Sequence, residues 1–286
     1  MRGPRLKLLA STDDADLFHT PGGALTGGIA SDSEGRIFFA NGRNIGSIEP
    51  DGLVLPYQAY CPRMGSIDGP LDEACFTDVG LMAMDSGDTL YIADAGLVRK
   101  ATPEFAVTTL ADLHPQRGHD LRPLIEISGL DVDKAGNVYV AAIVFIYDGR
   151  ADKYSVKDRS IKRIADDGGV TTIDILPQFE NMKAIRIDED ENVYFIDGIR
   201  IMKRSADGKM HLLADLGSDS VPNDMAMDSK GSLYVSDLGQ HAVIRIDHAG
   251  GIEKIAELAM PRTLTLVEPV GLAVVAKGGI YEIEVA

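Results

Sequence analysis

The sequence of 286 residues lacks the features of several large protein classes. It has no tryptophan, and its 28 Lys and Arg residues stand against 44 Asp and Glu residues, which gives a net charge of −16. A protein that binds nucleic acid needs a basic surface to displace counterions, so this balance argues against a nucleic-acid partner. No apolar run approaches the roughly 20 residues of a membrane helix, so we expect no membrane partner either.

The sequence also has few cysteines, and its N-terminal region does not have the pattern of a secretory signal. Only Cys61 and Cys75 are present. The N-terminal apolar run covers residues 6–10, is interrupted by Lys7 and is followed by acidic residues, which is too short for a secretory signal. We therefore expect a cytoplasmic protein, in which two cysteines are more often free thiols than a disulfide.

Helical periodicity is nearly absent, and a repeated stretch takes its place. MAMDSGDTLYIAD begins at Met82, and MAMDSKGSLYVSD begins at Met225. Looser copies begin near residues 28, 129 and 184, and a divergent copy, GLAVVAKGGIYEI, begins at Gly271. The six copies align on one aromatic position, which holds Phe38, Tyr91, Tyr139, Tyr194, Tyr234 and Tyr281.

Each copy has the pattern of one propeller blade. A short apolar strand leads into an Asp-x-x-Gly turn or a close variant, a second strand with the aromatic residue, and two more strands. Asp and Gly suit tight turns, because Gly adopts positive φ and Asp bonds its own backbone. Four strands per 40–50 residues are typical of propellers. We predict an all-β fold, a single six-bladed β-propeller over residues 1–286 whose four-stranded antiparallel blades start near residues 27, 80, 128, 183, 223 and 270.

The two ends of the chain are predicted to share a blade. LKLLAST, at residues 6–12, has the same pattern of apolar and polar residues as fourth strands such as MHLLADL and IEKIAEL. The last copy of the repeat has room for only three strands. We therefore expect residues 6–12 to form the outer strand of blade six. This closure removes the open edges between the first and last blades.

One blade carries a recognisable motif. Residues 64–102, MGSIDGPLDEACFTDVGLMAMDSGDTLYIADAGLVRKAT, resemble an NHL repeat, and the other blades carry looser versions. The chain is thus similar to the six-bladed propellers of the SMP-30/gluconolactonase/strictosidine synthase-like superfamily. The resemblance implies the fold but not one activity, because that superfamily includes lactonases, lyases, a Pictet–Spengler synthase and binding modules.

Ligands are expected at one end of the propeller, here named the upper face, where loops enter the first strand of each blade. These loops are long and uneven, whereas the turns at the opposite, lower face are short. Long loops on a rigid scaffold are where binding groups vary. The candidate substrate-binding residues of the upper face are His19, Arg63, His114, Arg122, Ser128, Asn181, Asn223, Asp224 and Arg262.

A metal site is the less favoured alternative. Gluconolactonase-like propellers hold a divalent metal with Glu, Asn and Asp at the innermost upper positions, which here align as Gly27, Gly80, Ser128, Lys183, Asn223 and Val270. Only Asn223 fits, and Lys183 brings a positive charge, so we expect no cofactor. His114 and His119, with Asp120 or His19, are candidate ligands of a softer metal, but exposed loop histidines are the favoured interpretation.

The candidate catalytic groups need no metal. Glu268 is expected at the upper channel mouth, where burial would raise its pKa, and strictosidine synthase-like propellers use a Glu in a broadly similar place. Lys183 is either an anion-binding group or a nucleophile, and Glu126 is its candidate partner. The alternative for these three is a structural salt bridge or a solvated charge. The full catalytic set is Glu268, Lys183, Glu126 and His119.

Two further patterns have structural interpretations. Asp94, Asp197 and Asp237 recur after the second strand of their blades, which predicts turn capping and not catalysis. The apolar stretch at residues 143–146 predicts an exposed hydrophobic hairpin over residues 143–160. That hairpin would form either a lid over the channel or the interface of a homodimer.

The combined pattern favours an enzyme that acts on a small organic molecule in the upper central channel. We expect a metal-independent lyase, hydrolase or cyclising enzyme that uses carboxylate and Lys or His groups. The alternative is a non-catalytic NHL-type propeller that binds a protein or peptide on the same face, and the second alternative is a metal-dependent lactonase.

Overall fold

The architecture is a ring of six antiparallel sheets, a six-bladed β-propeller, as the sequence predicts. The computed structural model describes residues 5–11, 27–57, 65–115, 123–149, 152–179, 181–267 and 271–285. Within these ranges every regular element is a strand, and no helix is long and apolar enough to cross a membrane.

The strands follow one order in every blade, from the innermost strand at the channel to the outermost. The chain begins with β1 (Leu6–Ser11). Blade one contains β2 (Ile29–Ser31), β3 (Ile37–Asn41), β4 (Asn44–Ile48) and β5 (Val54–Tyr57). Blade two contains a short outer strand β6 (Gly69–Pro70), then β7 (Val79–Met84), β8 (Leu90–Asp94), β9 (Leu97–Ala101) and β10 (Ala106–Asp112). Blade three contains β11 (Pro123–Val132), β12 (Val138–Asp148), β13 (Lys153–Ile164) and β14 (Val170–Ile175).

The second half of the ring repeats this order. Blade four contains β15 (Met182–Ile187), β16 (Val193–Asp197), β17 (Arg200–Arg204) and β18 (Met210–Asp215). Blade five contains β19 (Pro222–Met227), β20 (Leu233–Asp237), β21 (Ala242–Ile246) and β22 (Ile252–Glu257). Blade six contains β23 (Leu264–Val267), β24 (Gly271–Ala276) and β25 (Gly279–Glu284), and β1 is its outermost strand.

Pairing of β1 with β25 closes the ring, which confirms the predicted outer strand of blade six over residues 6–11. The two strands are antiparallel, with Leu6 opposite Ile283 and Ser11 opposite Gly279. Ala10 is buried in a core cluster that also contains Ile280 of blade six and Ile29 of blade one. The N-terminal strand therefore joins the first and last blades through both hydrogen bonds and apolar contact.

Blade six begins one strand earlier than the predicted start near residue 270. Its innermost strand is β23, and GLAVVA forms the second strand, β24. Tyr281 consequently lies on the third strand and does not share the position of Tyr234 on β20. The divergent copy has no Asp-x-x-Gly turn to set its register, and this absence explains the misalignment.

The repeated Asp and Tyr residues form one hydrogen-bonded unit at the lower face. Asp228 Oδ1 accepts the backbone N–H groups of Lys230 and Ser232, and Asp228 Oδ2 accepts the hydroxyl of Tyr234 at 3.1 Å. Gly231 completes the turn at φ +79°. Blades two and four repeat the hydrogen bond between the Tyr hydroxyl and the turn Asp. The sequence repeat therefore reflects a repeated Asp–Tyr contact that stabilises the turn, here named the turn lock.

The aspartates after the second strands act as scaffold, as predicted. Asp94 is fully buried, and its Oδ1 accepts the backbone N–H groups of Thr77 and Asp78 at 2.7 and 2.8 Å. Asp197 and Asp237 likewise accept backbone N–H groups from the loops that enter their own blades. Each of these carboxylates therefore fixes an upper loop to its blade.

The prediction of free thiols is wrong for Cys75, which is disulfide-bonded. Cys61, the only other cysteine of the chain, lies outside the described residues. Cys75 itself is held in an ordered segment, because Ile67 pairs with it in an isolated bridge and Arg99 donates to its carbonyl at 2.6 Å. Sequence spacing alone does not reveal such proximity.

Ring closure can be tested by a charge at its core. Because Ala10 is buried, Ala10→Asp places an unpaired carboxylate between two blades and should lower the free energy of unfolding by about 3 kcal/mol. Lys7→Ala is the matched control, since Lys7 on the same strand is exposed and forms only a surface ion pair. Urea unfolding followed by circular dichroism measures both. Equal stabilities of the two variants would contradict the closure.

Candidate functional site

Blade three rises above the upper face because its first three strands are long. Strands β11, β12 and β13 have 10, 11 and 12 residues, whereas the corresponding strands of the other blades have three to six. One face of this extension packs on blade two, where Ile125 and His114 lie against Gly96 and leave no room for a side chain there. The extension is therefore supported from one side.

The extension is less exposed than predicted at its base. Ile143 and Val144 are each only 8% exposed, so the expected exposed apolar stretch is largely buried there. Farther along, Leu124, Tyr154 and Val156 are 49%, 45% and 39% exposed. The cross-strand register explains the difference, because the exposed residues lie nearer the free end of the hairpin.

The second face of the extension forms the wall of a cavity of about 570 Å³, here named the upper cavity. Its floor and far wall are the upper ends of blades four and five. The volume is in the range of small-molecule sites. The lining residues are Glu126, Ser128, Ile143, Phe145, Val156, Arg159, Asn181, Met182, Lys183, Gly198, Ile199, Ser220, Val221 and Pro222.

Lys183 enters this cavity from the innermost strand of blade four. A β-bulge follows it, and Ala184 has φ +44°, a conformation that alanine rarely adopts. Bulges next to functional sites redirect side chains, and such strain is concentrated at functional positions. Burial lowers the pKa of Lys183, and the charge of Asp224 partly opposes that effect.

The two predicted partners in the cavity do not form a salt bridge. Neither Lys183 nor Glu126 makes a side-chain hydrogen bond or an ion pair in the part of the chain that the structure describes. Both polar groups therefore face the cavity without a protein partner, which excludes a structural salt bridge as their role there.

Arg159 is a cavity residue that the sequence analysis missed. It lies across from Ile143, which in turn lies across from Glu126, so the three residues are neighbours on adjacent strands of one sheet face. Its Nε is buried and has no hydrogen-bond partner. The sequence feature that could have identified Arg159 is its charge on the third strand of blade three, the blade with the extended hairpin.

The innermost upper positions form a rim around the channel. The strand register of blade six places Arg262, and not Val270, at the sixth rim position, because Leu264 pairs with Val274 as Met225 pairs with Val235. Rim side chains link neighbouring blades, and the amide of Asn223 donates to the Arg262 carbonyl at 2.9 Å. Gly27, Gly80, Ser128, Lys183, Asn223 and Arg262 form the corrected rim.

Deeper in the channel, three charged residues of neighbouring blades form a cluster. Arg186 Nη2 lies 3.4 Å from Asp224 Oδ1, and Asp131 Oδ2 accepts the backbone N–H of Ile187 at 2.8 Å. Burial raises the pKa of Asp131 to about 6 against the opposing charge of Arg186, and burial also raises the pKa of Asp224. The sequence analysis did not identify Asp131 and Arg186. Their signal was a charged residue at a position of the innermost strand where blades one, two and five carry Ala.

A second cavity, of about 490 Å³, occupies the lower part of the channel and is lined by all six blades. Three of its acidic side chains already accept hydrogen bonds from the protein. Asp32 and Asp85 accept backbone N–H groups of their own turns, and Asp88 accepts the N–H and hydroxyl of Ser33. This lower cavity therefore offers fewer free polar groups than the upper one.

The structure brings part of the predicted site together. Glu126, Ser128, Asn181 and Lys183 line the upper cavity, whereas Asn223 and Arg262 lie on the rim outside it. Asp224 is buried in the channel cluster, and His114 Nδ1 lies 2.7 Å from Asp112 at the outside of blade two. Five predicted residues lie outside the described ranges: His19, Arg63, His119, Arg122 and Glu268.

The upper-face prediction for Glu268 depended on the misaligned start of blade six. Glu268 follows β23 and precedes β24, and the flanking residues Val267 and Gly271 pair with each other. That pair lies at the same end of its sheet as Met84 and Leu90, which is the lower face. Glu268 itself lies outside the described residues, so its place at the upper face stays a prediction.

The corrected rim does not fit a hard divalent cation. Lys183 and Arg262 add two positive charges, and only Ser128 and Asn223 offer side-chain oxygen atoms. Among the described residues no group of three or more His, Cys, Asp and Glu side chains has metal-ligand geometry. A cation that requires several converging oxygen ligands is not matched by this donor set.

Solved structures share this fold. A virginiamycin B lyase from Staphylococcus aureus is 14% identical, with a TM-score of 0.64 over 99% of this chain and 100% of that one. A gluconolactonase from Xanthomonas campestris is 14% identical, with a TM-score of 0.69 over 99% and 90%. A luciferin-regenerating enzyme is 12% identical, with a TM-score of 0.68 over 99% and 96%. No family model and no curated protein matches the chain, so these similarities establish the fold alone.

The channel cluster predicts a pH-dependent stability. The folded-state pKa of Asp131, about 6, lies above its ordinary value of 3.8, so ionisation of Asp131 disfavours the native state as pH rises through this range. Asp131→Asn should therefore gain about 2 kcal/mol of unfolding free energy relative to wild type between pH 4 and pH 7.5. Urea unfolding at several pH values measures this difference. The exposed Asp190→Asn is the control, and a pH-independent difference for Asp131→Asn would contradict the assignment.

Proposed function

We propose that the protein is a metal-independent enzyme that acts on a small organic molecule in the upper cavity. The observation that carries this proposal is that three charged side chains, Glu126, Arg159 and Lys183, line one cavity and have no partner in the part of the chain that the structure describes. Arg159 and Lys183 are half-buried and Glu126 is exposed, so all three remain available to hydrogen-bond a ligand in the cavity. The similar folds of a lyase and a gluconolactonase support an enzymatic propeller.

Lys183 is the reacting group in this proposal. Burial lowers its pKa, so a larger fraction of the amine is neutral and able to accept a proton than on an ordinary lysine. In an elimination, the neutral Nζ would take a proton from carbon, the C–H electrons would form the new double bond, and the leaving group would depart with its bonding pair. Glu126 and Asn181 would orient the substrate by hydrogen bonds.

The absence of a metal requirement is part of the proposal. The rim offers two cations and two neutral oxygen donors, which is the wrong charge for a hard divalent ion. Lysine chemistry requires no such ion. A cytoplasmic location also stays a proposal, and the disulfide at Cys75 weighs against it because disulfides persist mainly in oxidising compartments.

Competitive labelling with acetic anhydride tests the role of Lys183 without knowledge of the substrate. Mass spectrometry at pH 7 to 10 should show that Lys183 ionises below 10.5 and reacts faster near pH 8 than the exposed Lys157 on the same protein.

With glucono-δ-lactone or quinupristin as trial substrates, any turnover should be lost in Lys183→Met and kept in Lys157→Met. Unchanged turnover in Lys183→Met, or slower labelling of Lys183 than of Lys157, would refute the assignment.

The second candidate is self-association through the tip of the blade-three extension. Leu124 on β11 and Tyr154 and Val156 on β13 are exposed large apolar residues, and β12 lies between their two strands. Exposed apolar patches often mark interfaces, so we propose a homodimer that joins two such tips. Leu124 and Tyr154 do not line the upper cavity but Val156 does, so the interface would lie at the edge of the cavity.

Light scattering coupled to size-exclusion chromatography tests the dimer. Tyr154→Asp places a charge in the proposed interface and should convert a dimer to a monomer at micromolar concentration. Leu212→Asp is the control, since Leu212 is 56% exposed on the outer strand of blade four. A monomeric wild-type protein, or a dimer that survives Tyr154→Asp, would exclude this interface.

A further inference from the structure

Arg159 carries an unused hydrogen-bonding capacity at the wall of the upper cavity. A guanidinium group has five N–H donors, and none of those of Arg159 has a partner among the described residues. Its Nε is fully shielded from solvent. A ligand can therefore reach only the terminal nitrogens Nη1 and Nη2, and these have no competing protein partner among the described residues.

The other arginines with an unpartnered Nε differ from Arg159 in this respect. Arg99 donates through Nη2 to Asp68 at 2.9 Å, and Arg245 donates through Nη2 to Ser232 at 3.2 Å. Their guanidinium groups are held by the protein, whereas that of Arg159 is not. Arg159 is therefore placed to receive an acceptor from outside the chain.

The charge of the cavity favours an anion. Its charged lining residues are two cations, Arg159 and Lys183, and one carboxylate, Glu126. This local excess of positive charge stands in a chain whose net charge is −16. A guanidinium group remains a cation when a neighbouring lysine loses its proton, so an arginine can hold an anion while Lys183 reacts as a neutral amine.

The rest of the wall is apolar. Ile143, Phe145 and Val156 line the side formed by blade three, and Ile199 and Val221 line the opposite side. A ligand that fills this space therefore needs an apolar body next to its anionic group.

We propose that the substrate of the upper cavity is an apolar carboxylic acid whose carboxylate is bound by Arg159. This inference rests on the proposed function, because it names the substrate class of the same site. Arg159 acts as the anchor, and a planar guanidinium binds a carboxylate through two parallel hydrogen bonds. A phosphate monoester is a poorer match, since its second negative charge would be opposed by Glu126.

Methionine-methyl NMR tests the proposal, because Met182 lines the cavity and its resonance can be assigned with Met182→Leu. The probes are 4-phenylbutyrate, 4-phenylbutyramide, 4-phenylbutylamine and phenyl phosphate. The carboxylate should shift the Met182 resonance and bind about tenfold or more tightly than the amide, because charged partners strengthen the hydrogen bonds. The amine should not bind.

Variants connect this selectivity to Arg159. Arg159→Met should weaken 4-phenylbutyrate about tenfold and leave the amide unchanged, whereas Arg159→Lys should fall between the two because it keeps charge but loses the paired donors. Lys157→Met removes the same charge from the same hairpin outside the cavity and should change nothing. Circular dichroism confirms that each variant is folded.

The outcomes separate this inference from the proposed function. Equal binding of acid and amide, tighter binding of phenyl phosphate, no shift of Met182 with any probe, or full binding by Arg159→Met would each overturn the carboxylate anchor. The role of Lys183 is judged separately, by its labelling and by turnover. Lys183→Met removes the second cation of the cavity and should weaken 4-phenylbutyrate less than Arg159→Met does, since Arg159 supplies the anchor. A loss as large as that of Arg159→Met would overturn that division of roles.

Discussion

The antiparallel pairing of the first strand with the last is the interaction on which the rest of the structure depends. By joining β1 to β25, it converts six separate sheets into a closed ring and leaves no open edge between blades six and one. A closed ring fixes the angular position of every innermost strand. Only then do residues from blades three, four and five face one another across a defined space, as Arg159, Lys183 and Pro222 do in the upper cavity.

Within that ring, most polar residues stabilise the fold. The aspartates of the lower turns and those after the second strands accept backbone N–H groups, as Asp228 and Asp94 illustrate. Function is therefore not indicated by the abundance of carboxylates in this acidic chain. It is indicated by the upper cavity, which Arg159 and Lys183 line without a protein partner among the described residues.

Much of the fold could be predicted because each turn lock repeats, and a repeated contact leaves a repeated sequence. Prediction failed where the repeat has decayed. Blade six lacks the Asp-x-x-Gly turn, so its predicted start was one strand too late and Val270 was aligned with the rim in place of Arg262. Of the site, Lys183 and Glu126 were found because they lie on first strands, which alignment of the repeats locates. Arg159 was missed because it lies on a third strand, whose extension above the ring depends on the packing of Ile125 against blade two.

We propose that ligands bind in the upper cavity of the channel and not in the acidic lower cavity. A crystal structure of the protein grown with 4-phenylbutyrate tests this most directly. The account predicts density for a carboxylate within hydrogen-bond distance of the Arg159 guanidinium, with the ring against Phe145. Density in the lower cavity beside Asp131, with the upper cavity empty, would contradict it.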